Sequence, residues 1–391
     1  MQRAIRVFGS VLLWAVVALC CAIIVVPRFL DRIYYEGPAS PHFDTARFFN
    51  PDGEDTAAPP TGGSRTNFFV RYFLQDDGRP LWPTHVAVTP SKPAARVDGQ
   101  RMVVTWIGHA TVLIQTQGLN ILTDPIWANT SGPYGFGPRR VTEPGVRFVD
   151  LPKIDVVLIS HDHYDHMSLP MLRQLWGRDK PLIITSLGND KVMAGVKSVA
   201  RDWGGRVNVR PGIDVIVTRN HHWGTRFMAD RNRALWSSFV VTLPGGNLFF
   251  AGDTGFGDGK WPAEARAYGP IRLALLPIGA FRFLPGQMSI ASHIGPIDAA
   301  EVFQRLGASR AIAIHWGTFR LSYEARDTPP KLLDAVMKCR TDIGGGRAFT
   351  AVAPGVATEV ASMLPEPAMA APVTRDQVIH CLDTPQVRAL R

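Results

Sequence analysis

His161, Asp162, His163, Asp165 and His166 crowd into one short stretch, 161–166, with only Tyr164 set among them. Three imidazoles and two carboxylates this close would repel or stay unsatisfied in an apolar core, whereas a pair of divalent ions would use nearly all of them. The apolar run Val156-Val157-Leu158-Ile159 leads straight into the cluster, which places it at the end of a buried strand. Alternation along an extended chain points His161 and His163 the same way, while Asp165 and His166 begin the next turn. One segment can therefore feed two adjacent metals. A surface histidine tract is the rival, but such tracts are repetitive and do not cap a β-branched strand.

Further metal-capable side chains end other apolar runs. His222 follows Val215-Ile216-Val217-Thr218, Asp253 follows Leu248-Phe249-Phe250-Ala251-Gly252, and His315 follows Ala311-Ile312-Ala313-Ile314. A lone residue of this kind is more often structural, yet loops at the carboxyl ends of strands are where α/β sheets build their sites. Taken together they divide into two sets with a shared member. His161, His163 and His222 would hold one metal, Asp165, His166 and His315 the other, and Asp253 would bridge. Imidazole and carboxylate without thiolate suit two divalent ions, zinc first, with iron or manganese also compatible. Such a pair would bring the pKa of a shared water from about 16 to around neutral, creating a hydrolytic nucleophile.

The elements that must carry these ligands are readable in outline. Strands are expected at 102–107, 111–115, 119–122, 156–159, 182–185, 214–218, 238–243, 247–250, 273–277 and 311–314, with helices at 169–176, 190–203, 296–306 and 330–338. Meanders followed by β-α alternation imply two sheets face to face with helices outside. The chain is expected to divide into an anchor at 1–27, a wrapping extension at 28–100, a hydrolase domain at 101–350 and an unassigned tail at 351–391. Within the extension, Pro59-Pro60-Thr61-Gly62-Gly63-Ser64 is the most linker-like part. Aromatic spots at Phe48-Phe49, Phe68-Phe69 and Tyr72-Phe73 predict that the extension docks on the domain.

With 391 residues, 46% of them hydrophobic, there is ample material for a core. The stretch from Phe8 to Val26 carries no charge and as a helix spans roughly 28 Å, about one hydrocarbon core. Its length and the lack of an A-x-A-like site favour an uncleaved membrane anchor over a signal peptide, with a buried helix as the third possibility. Arg28 and Arg32 nearly balance Arg3 and Arg6, so charge orients the helix weakly; the amino terminus is expected in the cytoplasm, which puts the catalytic domain on the periplasmic face of a bacterial cell. Two of the four cysteines lie in the anchor, leaving Cys339 and Cys381 as a possible disulfide pair. A net charge of +9 favours anionic surfaces, but without Lys/Arg runs no nucleic-acid partner is expected.

The order strand-H-x-H-x-D-H, a later His, a carboxylate in Gly252-Asp253-Thr254-Gly255 and a final His resembles the metallo-β-lactamase superfamily. Thr105-Trp106-Ile107-Gly108-His109-Ala110-Thr111, Leu122-Thr123-Asp124-Pro125, His222-Trp223, Leu276-Pro277-Ile278-Gly279-Ala280 and Ile314-His315-Trp316-Gly317-Thr318-Phe319 narrow it to the N-acyl-phosphatidylethanolamine-hydrolysing phospholipase D group. The similarity covers about 101–325 and leaves the anchor and tail outside.

The resemblance implies an α/β fold, an αββα metallo-β-lactamase-type sandwich, here preceded by a single N-terminal transmembrane helix. It implies the same seven ligands, with His222 chosen over His221 because the family's ligand immediately precedes the Trp. Asp165 and Asp253 would then serve catalysis through the metals and His293 would act near the substrate. Asp124 and His109 would support the ligands. Arg139 and Arg140, with Tyr134-Gly135-Phe136-Gly137, are candidates for the substrate mouth.

The activity implied is dinuclear phosphodiester hydrolysis of phospholipase D type on N-acylated or related phosphatidylethanolamine lipids. Alternatives are a lactone or carboxylic-ester hydrolase of the same superfamily, acting on a small ester, and a non-catalytic, membrane-tethered metal-binding protein. The lack of a clear apolar helix in 28–100 weighs against the lipid substrate and leaves the metals untouched.

Overall fold

The computed structural model of the chain describes residues 2–53, 79–227, 229–281, 292–365 and 372–390. Helix α1 (Gln2–Leu30) contains Arg6–Leu30, a stretch of 25 residues long and apolar enough to cross a membrane, and its residues from Arg6 to Phe29 are exposed.

The first sheet is built from β1 (Met102–Gly108), β2 (Thr111–Thr116), β3 (Leu119–Thr123) and β4 (Val156–Ile159), then, across helix α2 (Leu169–Asp179), from β5 (Leu182–Ser186). The short helix α3 (Asn189–Val192) leads to β6 (Ser198–Arg201), and β7 (Arg206–Arg210) opens the second sheet. That sheet continues with β8 (Ile213–Thr218), β9 (Ser238–Val241), β10 (Asn247–Phe250), helix α4 (Trp261–Arg266) and β11 (Ile271–Pro277). Helix α5 (Pro296–Leu306), β12 (Arg310–Ile314), helix α6 (Thr328–Cys339) and β13 (Ala348–Thr350) complete it, and β14 (Ala357–Glu359) crosses back to the first.

The strand orders are β14-β1-β2-β3-β4-β5-β6 and β13-β12-β11-β10-β9-β8-β7. Both sheets follow one plan, in which an antiparallel meander passes into parallel strands at β3–β4 and at β10–β11. The strand ends at Thr123, Ile159, Thr218, Phe250 and Ile314 consequently open onto one edge of the sandwich.

The unbroken apolar runs have a direct cause: both faces of each central strand are covered. Val156 and Leu158 face the interior between the sheets, while Val157 and Ile159 pack under α2. Leu248 and Phe250 likewise face inward, and Phe249 and Ala251 pack under α5. Helix α5 starts at Pro296 and buries Ala299, Val302, Phe303 and Leu306, the i, i+3, i+4, i+7 stripe of a one-sided helix.

The structure corrects the helix expected over 190–203. Helix formation stops at Val192, Gly195 takes a left-handed φ of +89°, and the chain re-emerges as β6, paired parallel with β5. Val199 packs on the inter-sheet core from this strand, so β-branched packing overrides a helical pattern. Beyond 350, the tail left unassigned supplies β14, which pairs antiparallel with β1, and helices α7 (Arg375–Cys381) and α8 (Pro385–Arg388). Helix α7 opens with a Thr374/Gln377 capping box, a signal present in the sequence.

In the extension, Phe43 and Phe48 are buried against Leu235 and Trp236. Pro59 to Ser64, Phe68-Phe69 and Tyr72-Phe73 lie outside the described residues.

Cys339 and Cys381 form a disulfide that joins α6 to α7, beside a small apolar cluster of Leu332, Val336, Val378 and Leu382. Closing a loop of this length stabilises by up to about 4 kcal/mol through the unfolded chain's entropy. Cys381→Ser is therefore expected to loosen α7 and α8, read as faster tryptic cleavage at Arg375 and Arg388, with bound metal unchanged.

Candidate metal centre

A buried carboxylate organises the first half of the site. Asp124, just past β3, accepts hydrogen bonds from the Ser160 backbone N–H (2.8 Å), Ser160 Oγ (2.6 Å) and His166 Nδ1 (2.7 Å). Ser160 Oγ gives its single proton to Asp124, so at 2.8 Å it must accept from His161 Nδ1–H. That fixes the His161 tautomer and leaves its Nε2 as a lone pair, 2.8 Å from His163 Nδ1. His222 is fixed in the same manner, donating Nδ1–H to the Ser292 carbonyl at 2.9 Å and turning Nε2 inward. Tying the outer nitrogen so that the inner one is presented is how proteins orient metal-ligating imidazoles.

Asp253 stands between the two halves. Its Oδ2 lies 3.0 Å from His166 Nε2, 3.1 Å from His315 Nε2 and 4.0 Å from His222 Nε2, with His293 Nδ1 at 3.8 Å. Gly252 adopts φ +62°, and a Cβ there would stand 2.6 Å from that of Ser160, so the Asp253 loop can approach the His161 loop only through a glycine. Asn220 Nδ2 donates to the carbonyls of Ala251 (3.0 Å) and Asp253 (2.8 Å), binding the His222 loop to the Asp253 loop.

Ligand-capable atoms of His161, His163 and His222 lie within 4.8 Å of one another, as do those of His109, Asp165, His166 and His315. The two sets expected from the sequence are thus brought together, with His109 added to the second. His109 Nε2 sits 3.0 Å from Asp165 Oδ2 and its ring lies 4.0 Å from that of His315. His109 and His315 both occupy left-handed backbone, at φ +54° and +61°, and the His315 N–H donates to the His109 carbonyl at 2.9 Å. Two non-glycine residues held this way side by side is stored strain of the kind found at functional sites.

The electrostatics follow from burial. Desolvation, reinforced by neighbouring imidazoles, holds His161 well below the usual histidine value; at His222 desolvation prevails over the opposing Asp253. Burial brings His163 and His109 to about 3 and His293 to about 4. Burial alone would raise Asp253 and Asp165, but His166 and its neighbours hold both well below the carboxylate range. His166 is the exception among the imidazoles: burial would lower it, yet Asp253, Asp165 and Asp124 outweigh that and raise it well above 6.5.

His163 Nε2, His166 Nε2, His222 Nε2, both His315 ring nitrogens and Asp253 Oδ1 are buried and make no well-formed hydrogen bond. Each such atom costs about 1–3 kcal/mol. Inward ring nitrogens converging with two anionic carboxylates fit cations, and an imidazole-carboxylate donor set without thiolate fits borderline divalent metals such as zinc.

The remaining site residues fall in two groups. Arg140, a candidate for the substrate mouth, is tied to the protein: Nε and Nη2 donate to the carbonyls of Ala128 (3.0 Å) and Ile126 (2.9 Å), and the guanidinium lies 4.9 Å over the Phe319 ring, which meets His109 edge-on. It is a support behind His109. Arg139 is exposed, as are Tyr134 and Phe136. Ser160 was not among the residues expected at the site, although its place directly before His161 was an available clue; Asp162, within the opening cluster, is pushed up to about 7 by burial and Asp230.

The family profile of the beta-lactamase superfamily domain matches residues 119–316, which contain the strand ends at Thr123, Ile159, Thr218, Phe250 and Ile314 and every imidazole of the two sets except His109. The chain belongs to this superfamily. The metal-dependent hydrolase so identified is 34% identical over 252 residues to N-acyl-phosphatidylethanolamine-hydrolyzing phospholipase D 1 of Caenorhabditis elegans, covering 60% of this chain and 70% of that one. It is 28% identical over 248 residues to a UPF0173 metal-dependent hydrolase of Pyrobaculum neutrophilum, covering 62% and 96%. Among solved structures, the isothiocyanate hydrolase from Delia radicum gut bacteria superposes with a TM-score of 0.52 at 19% identity, covering 67% of this chain and 100% of that one, and so shares the fold.

Acid should destabilise the metal-free hydrolase. His161, His163, His222, His109 and His293 have folded values depressed below that of an unfolded histidine, about 6.5, so the unfolded chain binds more protons as pH falls past that point. Their contribution is complete above about pH 6.5 and is lost on acidification. His166, Asp124 and Asp162, all raised, act in the opposite sense but are fewer. The urea midpoint of chelator-treated protein is expected to drop between about pH 7.5 and 5.5; a constant or rising midpoint contradicts this account.

Proposed function

We propose that this hydrolase is a phospholipase D-type phosphodiesterase that uses two divalent metals, zinc foremost, on N-acylated or related phosphatidylethanolamine lipids. The observation that carries the chemistry is the Asp253 carboxylate, which borders both histidine sets at once. In this reading His161, His163 and His222 hold one ion, Asp165, His166 and His315 the other, and Asp253 both. Two such ions supply Lewis acidity towards phosphoryl oxygens and an activated water.

The chain's own residues then have defined tasks. Asp124 and His109 hold His166 and Asp165 in orientation. His293, lowered to about 4, is neutral at physiological pH; it serves as a hydrogen-bond donor to a phosphoryl oxygen rather than as an imidazolium acid. Water adds across the phosphorus–oxygen bond to the headgroup, leaving a phosphatidic acid and releasing the N-acylethanolamine.

Several features support a lipid substrate. The relationship to the nematode phospholipase D extends across most of that enzyme. Helix α1 is long enough to hold the protein at a bilayer, which raises the effective concentration of a membrane substrate. Tyr134 and Phe136 are exposed aromatics of the kind enriched at membrane interfaces, with the cationic Arg139 close by in the chain. If the source is bacterial, we place the catalytic domain on the periplasmic face of the membrane, where the Cys339–Cys381 disulfide would persist.

Asp253→Ala is expected to abolish hydrolysis of bis(p-nitrophenyl) phosphate and to lower bound metal by elemental analysis; unchanged turnover sinks the dinuclear mechanism. Incubation of the metal-loaded protein with a mixed phospholipid extract is expected to release phosphatidic acids, identified by mass spectrometry. Inertness to every phosphodiester, combined with lactone turnover, transfers the site to the ester-hydrolase alternative.

A further inference from the structure

The segment between α1 and the sandwich is bound to the loop that carries His221 and His222. Asp31 pairs with Arg233 at 2.7 Å through both Nε and Nη2, and Tyr34 donates its hydroxyl to the buried Asp230 at 2.8 Å. The Phe48 N–H donates to the Asn232 carbonyl at 2.8 Å. Arg32 lies 4.1 Å over the Phe227 ring.

Two contacts reach the histidines. Asn50 Nδ2 donates to the His222 carbonyl at 2.8 Å, while Asn50 Oδ1 accepts from Trp236 Nε1 at 3.1 Å. Because the indole can only donate, it fixes which end of the amide faces His222. Two residues on, the Asp52 carboxylate lies 3.0 Å from His221 Nδ1 and accepts the Asp258 N–H at 2.7 Å. Burial would raise Asp52, but the Asp258 amide and His221 hold it low, so it is anionic. Gly257 packs over this pair, and a Cβ there would stand 2.6 Å from His221 Nδ1.

His222 is therefore held at two points: the Ser292 carbonyl sets its ring and Asn50 sets its backbone. We propose that Asn50 and Asp52 are positioning residues for the metal centre. Asn50 acts through the His222 carbonyl and Asp52 through His221, so the segment that follows the apolar helix is part of the active site's construction. This inference rests on His222 being a metal ligand.

The test uses the full chain in detergent micelles, with Asn50→Asp, Asn50→Ala, Asp52→Asn and His222→Ala. Zinc retention is followed against graded chelator, and the visible absorption of the cobalt-substituted protein reports ligand geometry. Asn50→Asp keeps the volume and removes the donor. It should release zinc at roughly tenfold lower chelator than the parent and shift the cobalt bands, as Asn50→Ala does. Asp52→Asn should shift both readouts in the same direction by less. A purely volume-filling Asn50 would leave Asn50→Asp unchanged in both readouts, and that result overturns the proposal. His222→Ala separates the two levels: loss of metal there beside an unaffected Asn50→Asp refutes the positioning role alone, whereas full metal and an unaltered cobalt spectrum in His222→Ala refute the ligand assignment and the positioning role with it.

Discussion

The site depends on one buried carboxylate with three hydrogen-bond donors. Asp124 receives hydrogen bonds from Ser160 twice and from His166 once, and it orients the half of the centre that follows the first sheet. A carboxylate excluded from water is tolerable only when its acceptor capacity is used, so the position of Asp124 and the orientation of its partners are mutually required. Through Ser160 it selects the His161 tautomer, and directly it selects that of His166. The inward lone pairs of the cluster are in part a consequence of this outward network.

The two sheets supply what that network alone cannot, a fixed distance between loops far apart in sequence. Strands covered on both faces leave little freedom at their ends, and the functional side chains sit within a few residues of those ends. Two residues per loop would be enough to lose this precision if the loops were independent. Asn220 ties the His222 loop to the Asp253 loop, and the left-handed pair His109 and His315 is joined by a backbone hydrogen bond, so these four loops are held in pairs.

Much of this was legible from residue type and place. A polar ligand closing an apolar strand stands out because burial on both faces removes competing polar residues, which is why His161, His222, Asp253 and His315 could be picked out. Cys339 and Cys381 could be paired by elimination. What stayed hidden depended on partners remote in the chain. Asn50 lies 172 positions from His222, and no local pattern marks it. Arg140 has the sequence character of a substrate contact, and its hydrogen bonds to the carbonyls of Ile126 and Ala128 are visible only in the fold. β6 was mistaken for helix because a short valine-bearing edge strand has too few residues to display a period. β14 is briefer still and partly exposed.

The division of the metal-capable side chains between the sheets has a thermodynamic corollary. His161, His163, Asp165 and His166 follow β4 of the first sheet, whereas His222, Asp253 and His315 follow β8, β10 and β12 of the second. An ion held by both groups is a cross-link between the two halves of the molecule, comparable in effect to a disulfide but reversible and set by supply. Its contribution to folding grows with the logarithm of free ion concentration over the dissociation constant, by about 1.4 kcal/mol for each tenfold excess. The rigidity of the sandwich would then be coupled to the metal content of its compartment, and starvation for the ion would loosen the fold along the seam where the metal-capable side chains meet.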